Sequence, residues 1–219
     1  LPPLAQYTVP FAGFLFFLVL ADWVPLNPYW DAPLRVILLG LLCWLCWPRD
    51  QKLAPNRWMQ STIVGIAVFL LWIAPEVLIP GWRMLPPFHN SVVGAVHSSL
   101  PGDALRSPWV LTWRTARAAL IVPVVEELFW RGFLMRWLIG SHFERIPMGT
   151  YRALAFWIVV ALFAIEHGPY WEVGLLTGII YNWWMVRTKS LGDCIWMHAV
   201  TNLCLSIYVI AANQWQYWQ

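Results

Sequence analysis

Three sets of polar side chains interrupt otherwise apolar stretches of this sequence. They are Glu126 and Glu127 with Arg131, Phe163 leading into His167, and His198 with Asn202. A carboxylate can take a proton from water, and an imidazole can assist it. An imidazole and a carboxamide can donate hydrogen bonds to a developing oxyanion. Together these are the parts of a hydrolase. An ionised side chain at bilayer depth costs several kcal/mol, so membrane helices that keep such groups usually use them.

Spacing assigns the roles further. Glu127 and Arg131 are four residues apart with the acid first, the favourable order for an ion pair on a helix. Glu126 points about 100° away from Glu127 and is free for chemistry. Phe163 lies one turn before His167 on the same face, where its ring can wall a site. His198 and Asn202 share a face, about 6 Å apart. Each set also has a plainer reading. The first is an ion pair between helices, the second a hydrogen-bonded structural histidine, and the third a polar clamp between membrane helices.

These residues need helices to carry them, and the composition says in what solvent. Of the 219 residues, 60% are hydrophobic and 11% charged. A soluble domain has roughly 25% charged residues, so too little polar surface exists here to cover a globule in water. The expected fold is all-α, a polytopic transmembrane helix bundle of about seven to eight spans. Apolar runs fall at about 7–24, 33–47, 58–79, 109–138, 151–167, 171–186 and 191–212. The second, fifth and sixth barely cross a hydrocarbon core of about 30 Å. The fourth is long and holds Arg114, Arg117 and Pro123. The long polar loop is 80–108.

Basic residues concentrate in segments 48–57, 136–152 and 187–193. That bias orients the N-terminus to the cytoplasm, with Arg114 and Arg117 as misfits. The expected location is integral to a bacterial inner membrane. This orientation separates His167 from His198, and a sunken 166–172 loop would reunite them. Glu166 and Glu172 would then line a water path. The net charge of +3 gives no reason to expect nucleic acid. Cys43, Cys46, Cys194 and Cys204 lie in apolar runs and read as small hydrophobes.

Glu126-Glu127-x-x-x-Arg131, Phe163-x-x-x-His167 and His198-x-x-x-Asn202, in that order, resemble the signature motifs of the CAAX protease and bacteriocin-processing family. The resemblance covers roughly residues 109–212. It divides one membrane unit into N-terminal spans without family motif, 1–105, and a catalytic core, 106–219. It implies an intramembrane endopeptidase acting on a membrane-bound protein or peptide. Glu126 and His167 would activate a water, His198 and Asn202 would hold the oxyanion, and Glu127, Arg131 and Phe163 would support them. No cofactor is expected, Glu127 being occupied by Arg131 with no second carboxylate to orient the imidazoles. Zinc held by Glu126, His167 and His198 is the lesser alternative. A non-catalytic immunity or assembly protein with the same fold is the competing reading. Other membrane proteases fit less well, since the sequence has no His-Glu-x-x-His motif.

Overall fold

The computed structural model describes all residues except Pro25, His97 and Gln219, together with the side chains of Ala21 and Asp22. Among the described residues the chain is helical, with no strand. Helices α1 (Pro3–Trp23), α2 (Pro28–Cys46) and α3 (Trp58–Leu78) come from the first three apolar runs. A continuous helical rod follows over 108–137. It is built from α4 (Pro108–Ala116), a π turn (Arg117–Ile121), α5 (Val122–Glu127), a second π turn (Leu128–Leu134) and α6 (Met135–Trp137). Helices α7 (Ala153–Glu166), α8 (Trp171–Thr188) and α9 (Leu191–Ala212) complete the set.

Among the described residues four helices are long and apolar enough to cross a membrane: α1 over Pro3–Leu20, α2, α3 and α9. The sequence reading expected seven to eight spans, and length and composition mark these four. The difference has a physical cause. Of the motif-bearing segments, α7 is short and the rod carries charges that the site needs. At 14 residues, α7 extends about 21 Å, less than a hydrocarbon core of about 30 Å. The rod 108–137 holds Arg114, Arg117, Glu126, Glu127, Arg131 and Arg136.

Packing sets the register of the motif helices. α3 lies along α9, and α7 along α8. Gly65 permits the first approach, because a Cβ there would stand 2.5 Å from the carbonyl oxygen of Met197. Small residues let membrane helices close in this way. Thr201 completes the contact by donating from Oγ1 to the Gly65 carbonyl at 2.9 Å. Lower down, Asp193 accepts from the Arg57 amide at 2.7 Å and from Ser61 Oγ at 3.2 Å. That buried carboxylate ties the start of α9 to the start of α3. Ser190 caps α9 by accepting from the Asp193 amide.

The 80–107 segment packs over the junction of α7 and α8. Arg83 is buried there and donates to the Pro169 carbonyl at 2.8 Å. It pairs with Glu172 at 2.6 Å, and its guanidinium stands 4.2 Å from the Tyr170 ring centroid. The 3-10 turn Gly168–Tyr170 is thereby held inward, with Pro169 and Tyr170 buried. Cys43, Cys46 and Cys194 are buried free thiols, and Cys204 is free and half-buried.

Candidate active site

Glu126, His167, His198 and Asn202 line one cavity of about 360 Å³. Three helical segments supply them. The rod brings Glu126, the end of α7 brings His167, and one face of α9 brings His198 and Asn202. Phe163, Trp72, Tyr181, Thr201 and Glu166 share the lining.

Glu126 is 6% exposed, and its Oε2 is enclosed without a hydrogen-bond partner. At most one of its oxygens therefore meets the cavity. His167 sits where α7 ends. Its Nδ1 lies 2.6 Å from the Phe163 carbonyl. A carbonyl can only accept, so Nδ1 carries the hydrogen and Nε2 keeps a lone pair. The ring is fixed by Phe163, with centroids 4.6 Å apart, and by Trp72 at 5.3 Å. Gly174 of α8 makes room for it, since a Cβ there would stand 3.2 Å from the imidazole.

Glu127 and Arg131 are both wholly enclosed, and Arg131 Nη1 donates to Glu127 Oε1 at 3.1 Å. The same oxygen accepts from His198 Nδ1 at 2.9 Å. This corrects the expectation that Arg131 alone occupies Glu127 and that no carboxylate orients an imidazole. One carboxylate oxygen has room for two donors, and Glu127 fixes the ring of His198. Arg131 is further held by Asn182, whose Oδ1 accepts from Nε at 3.0 Å. Asn182 in turn donates to the Phe156 carbonyl at 3.0 Å. The guanidinium stands 4.5 Å from the Phe163 ring centroid and 5.3 Å from that of Tyr181. A buried cation needs such a shell of partners.

Asn202 is half-buried and donates from Nδ2 to the Ala118 carbonyl at 2.9 Å. One amide hydrogen is thus committed to the rod, and the other remains for a ligand. That carbonyl lies in the first π turn, where the regular helical ladder is interrupted.

Arg114 and Arg117, the misfits of the charge pattern, line the same cavity. Arg114 stands 5.9 Å from the Trp218 ring centroid. Glu166 also lines the cavity and is exposed. Glu172 is turned away into its pair with Arg83, so the expected second acid on a water path is absent from the lining. Tyr217 lies on the lining beyond α9, where burial pushes its phenol up to about 12. It therefore remains a neutral hydroxyl at physiological pH. Sequence reasoning missed Asn182, Thr201 and Tyr181. Asn182 and Tyr181 are interior polar groups of α8, detectable as such, but α8 held none of the motifs.

A metal ion would need several of these donors grouped together. Among the described residues no set of three His, Cys, Asp or Glu side chains is arranged to hold one.

Residues 108–204 match the family model described as type II CAAX prenyl endopeptidase Rce1-like. The matched segment runs from the start of α4 to within α9 and contains all three motifs, so the resemblance seen in them holds for this part of the chain. No curated protein and no solved structure matches the chain.

Proposed function

We propose that this chain is an intramembrane endopeptidase of the CAAX type, in which Glu126 and His167 activate a water and His198 and Asn202 hold the oxyanion. The supporting observation is that all four side chains line one cavity, on three helical segments. Family membership of residues 108–204 supports a protease, and the apolar helices support an integral membrane protein.

The hydrogen-bond pattern suits these roles. His167 presents Nε2 as an acceptor because Nδ1–H is engaged by Phe163. A water between Nε2 and the accessible oxygen of Glu126 would lose its proton to one of them as it attacks the carbonyl carbon. His198 gives its Nδ1–H to Glu127, so Nε2 can donate to the oxyanion when the ring is an imidazolium. The Glu127 carboxylate faces that charge. Asn202 adds its free amide hydrogen. Oxyanion donors of this kind are worth about 10²–10³ in turnover each.

The substrate class is a membrane-bound protein or peptide. No metal takes part, and the setting is a bacterial inner membrane with a cytoplasmic N-terminus. The deciding experiment compares peptides released from membranes that contain the wild type or Glu126→Ala. Fragments that depend on Glu126 are expected. Identical peptide profiles, with equal protein levels, would leave a non-catalytic membrane role in its place.

A further inference from the structure

A second cavity of about 580 Å³ lies between α2, the 48–57 loop and the rod. Gly40, Cys43 and Trp44 of α2 line it, with Val124 of α5 and Leu53 and Arg49 of the loop. Val124 and Glu126 are two residues apart within α5 and so point to nearly opposite faces of the rod. The cavity around Glu126 and this groove therefore flank the rod, and a ligand in one does not compete with a ligand in the other.

The groove is apolar along its length and basic at one end. It follows the last turns of a span, where Trp44 and Leu45 are exposed, so it opens toward the bilayer. From Gly40 to Trp47 it runs about 10 Å along α2, within one leaflet of a hydrocarbon core about 30 Å thick. Gly40 leaves the inner end wide. A Cβ there would stand 3.5 Å from Ile121 Cδ1, an ordinary contact, so helix packing does not demand the glycine. At the other end Arg49 is exposed. Its turn is fixed, since the Gln51 amide donates to the Pro48 carbonyl at 2.9 Å and the Trp47 indole donates to the Gln51 carbonyl at 3.0 Å. The loop beyond is seated on the start of α9, where a Cβ at Gly192 would stand 2.7 Å from the Leu53 carbonyl. Among the described residues no acid forms an ion pair with Arg49. The adjacent Asp50 accepts from Gln51 Nε2 at 2.7 Å.

We propose that this groove binds one anionic phospholipid, with an acyl chain along Gly40, Cys43 and Trp44 against Val124 and the phosphate at Arg49. Basic pockets between membrane helices hold anionic head groups in this way. The stem of Arg49 can lie along the apolar wall while its guanidinium reaches head-group level. The lipid bridges α2 to the rod from behind the catalytic face. The site stands on the membrane reading alone and would remain if the chain cleaved nothing.

The test uses the full chain in detergent, with bound lipid counted by native mass spectrometry and Tm measured alongside. The probes are dioleoyl phosphatidylglycerol and dioleoyl phosphatidylcholine, which share chains and phosphate, the choline cancelling the charge. We expect one phosphatidylglycerol per chain, bound about fivefold more tightly than phosphatidylcholine, the worth of one basic contact, and a rise in Tm on binding. Arg49→Gln, a change at an exposed position, should abolish the preference and leave phosphatidylcholine binding as it was. Gly40→Leu should fill the inner end and weaken both lipids. Glycerol phosphate, the charged group without chains, should displace neither. Equal binding of the two lipids by the wild type, a preference that survives Arg49→Gln, or displacement by glycerol phosphate would overturn the assignment. Should Gly40→Leu fail to accumulate, Gly40→Ala must weaken both lipids in smaller degree, and unchanged binding by it would count against the groove.

Discussion

Glu127 Oε1 lies 2.9 Å from His198 Nδ1, and this contact joins the first motif to the third inside the protein. The same oxygen takes Arg131 at 3.1 Å, so an imidazole and a guanidinium are set against one acid. Glu127→Ala would leave Arg131 buried without its counter-charge. We expect a loss of about 3–5 kcal/mol in stability, seen as reduced folded yield and a lower Tm in detergent. Glu127→Gln should fold better than Glu127→Ala yet remain poorly active, because a neutral carboxamide does not hold an imidazolium. Equal activity of Glu127→Gln and wild type would show that His198 needs no charge beside it.

Asn182 links Arg131 to the Phe156 carbonyl and so ties the rod to α7 through α8. Replacing it by Leu leaves a buried guanidinium and a buried carbonyl each short of a partner. The expected cost is about 1–3 kcal/mol, read from thermal unfolding in detergent. Stability equal to wild type would mean that neither group depends on Asn182.

Gly65 bears on the site through geometry alone. A methyl at that position would meet the Met197 carbonyl at 2.5 Å and Val200 at 2.9 Å. The obstruction includes backbone, so α3 and α9 must move apart. Gly65→Ala should cost about 1–3 kcal/mol and displace His198 and Asn202. Both Tm and turnover are expected to fall. An unchanged Tm would show that the two helices have slack at this crossing.

Cleavage should survive exhaustive chelation of the purified protein, with metal content measured in parallel, and should vanish in Glu126→Ala. Loss on chelation with recovery on added zinc would instead make Glu126, His167 and His198 ligands. Each of those three would then be required for metal retention as well as for turnover.

The apolar runs were legible because burial in lipid leaves a length and composition signal that tolerates uncertain boundaries. The pairing of Glu127 with Arg131 was legible because it lies within one helix. The bond from Glu127 to His198 was not, since it depends on how α5 and α9 pack. Gly65 and Thr201 set α9 against α3, and two π turns shape the rod that carries α5, and none of these shows a period in the sequence. The charge pattern made Arg114 and Arg117 misfits, because it sorts residues by loop and span and has no place for a polar cavity between helices. Arg83 and Glu172 were equally hidden, being 89 residues apart and joined only by the folding of the 80–107 segment.

The two π turns flank α5, which carries Glu126 and Glu127. Each π turn sets its residues slightly out of step with an α-helix, like a vernier scale along the rod. They allow Arg117 and Ala118 above and Arg131 below to meet their surroundings while Glu126 faces the cavity. Deleting one residue from either turn would advance everything beyond it by about 100°, and no side-chain substitution could bring it back. The rod should therefore tolerate changes of residue type far better than changes of length, and a chain one residue shorter between 117 and 134 would keep its helices and lose the alignment of all three motifs.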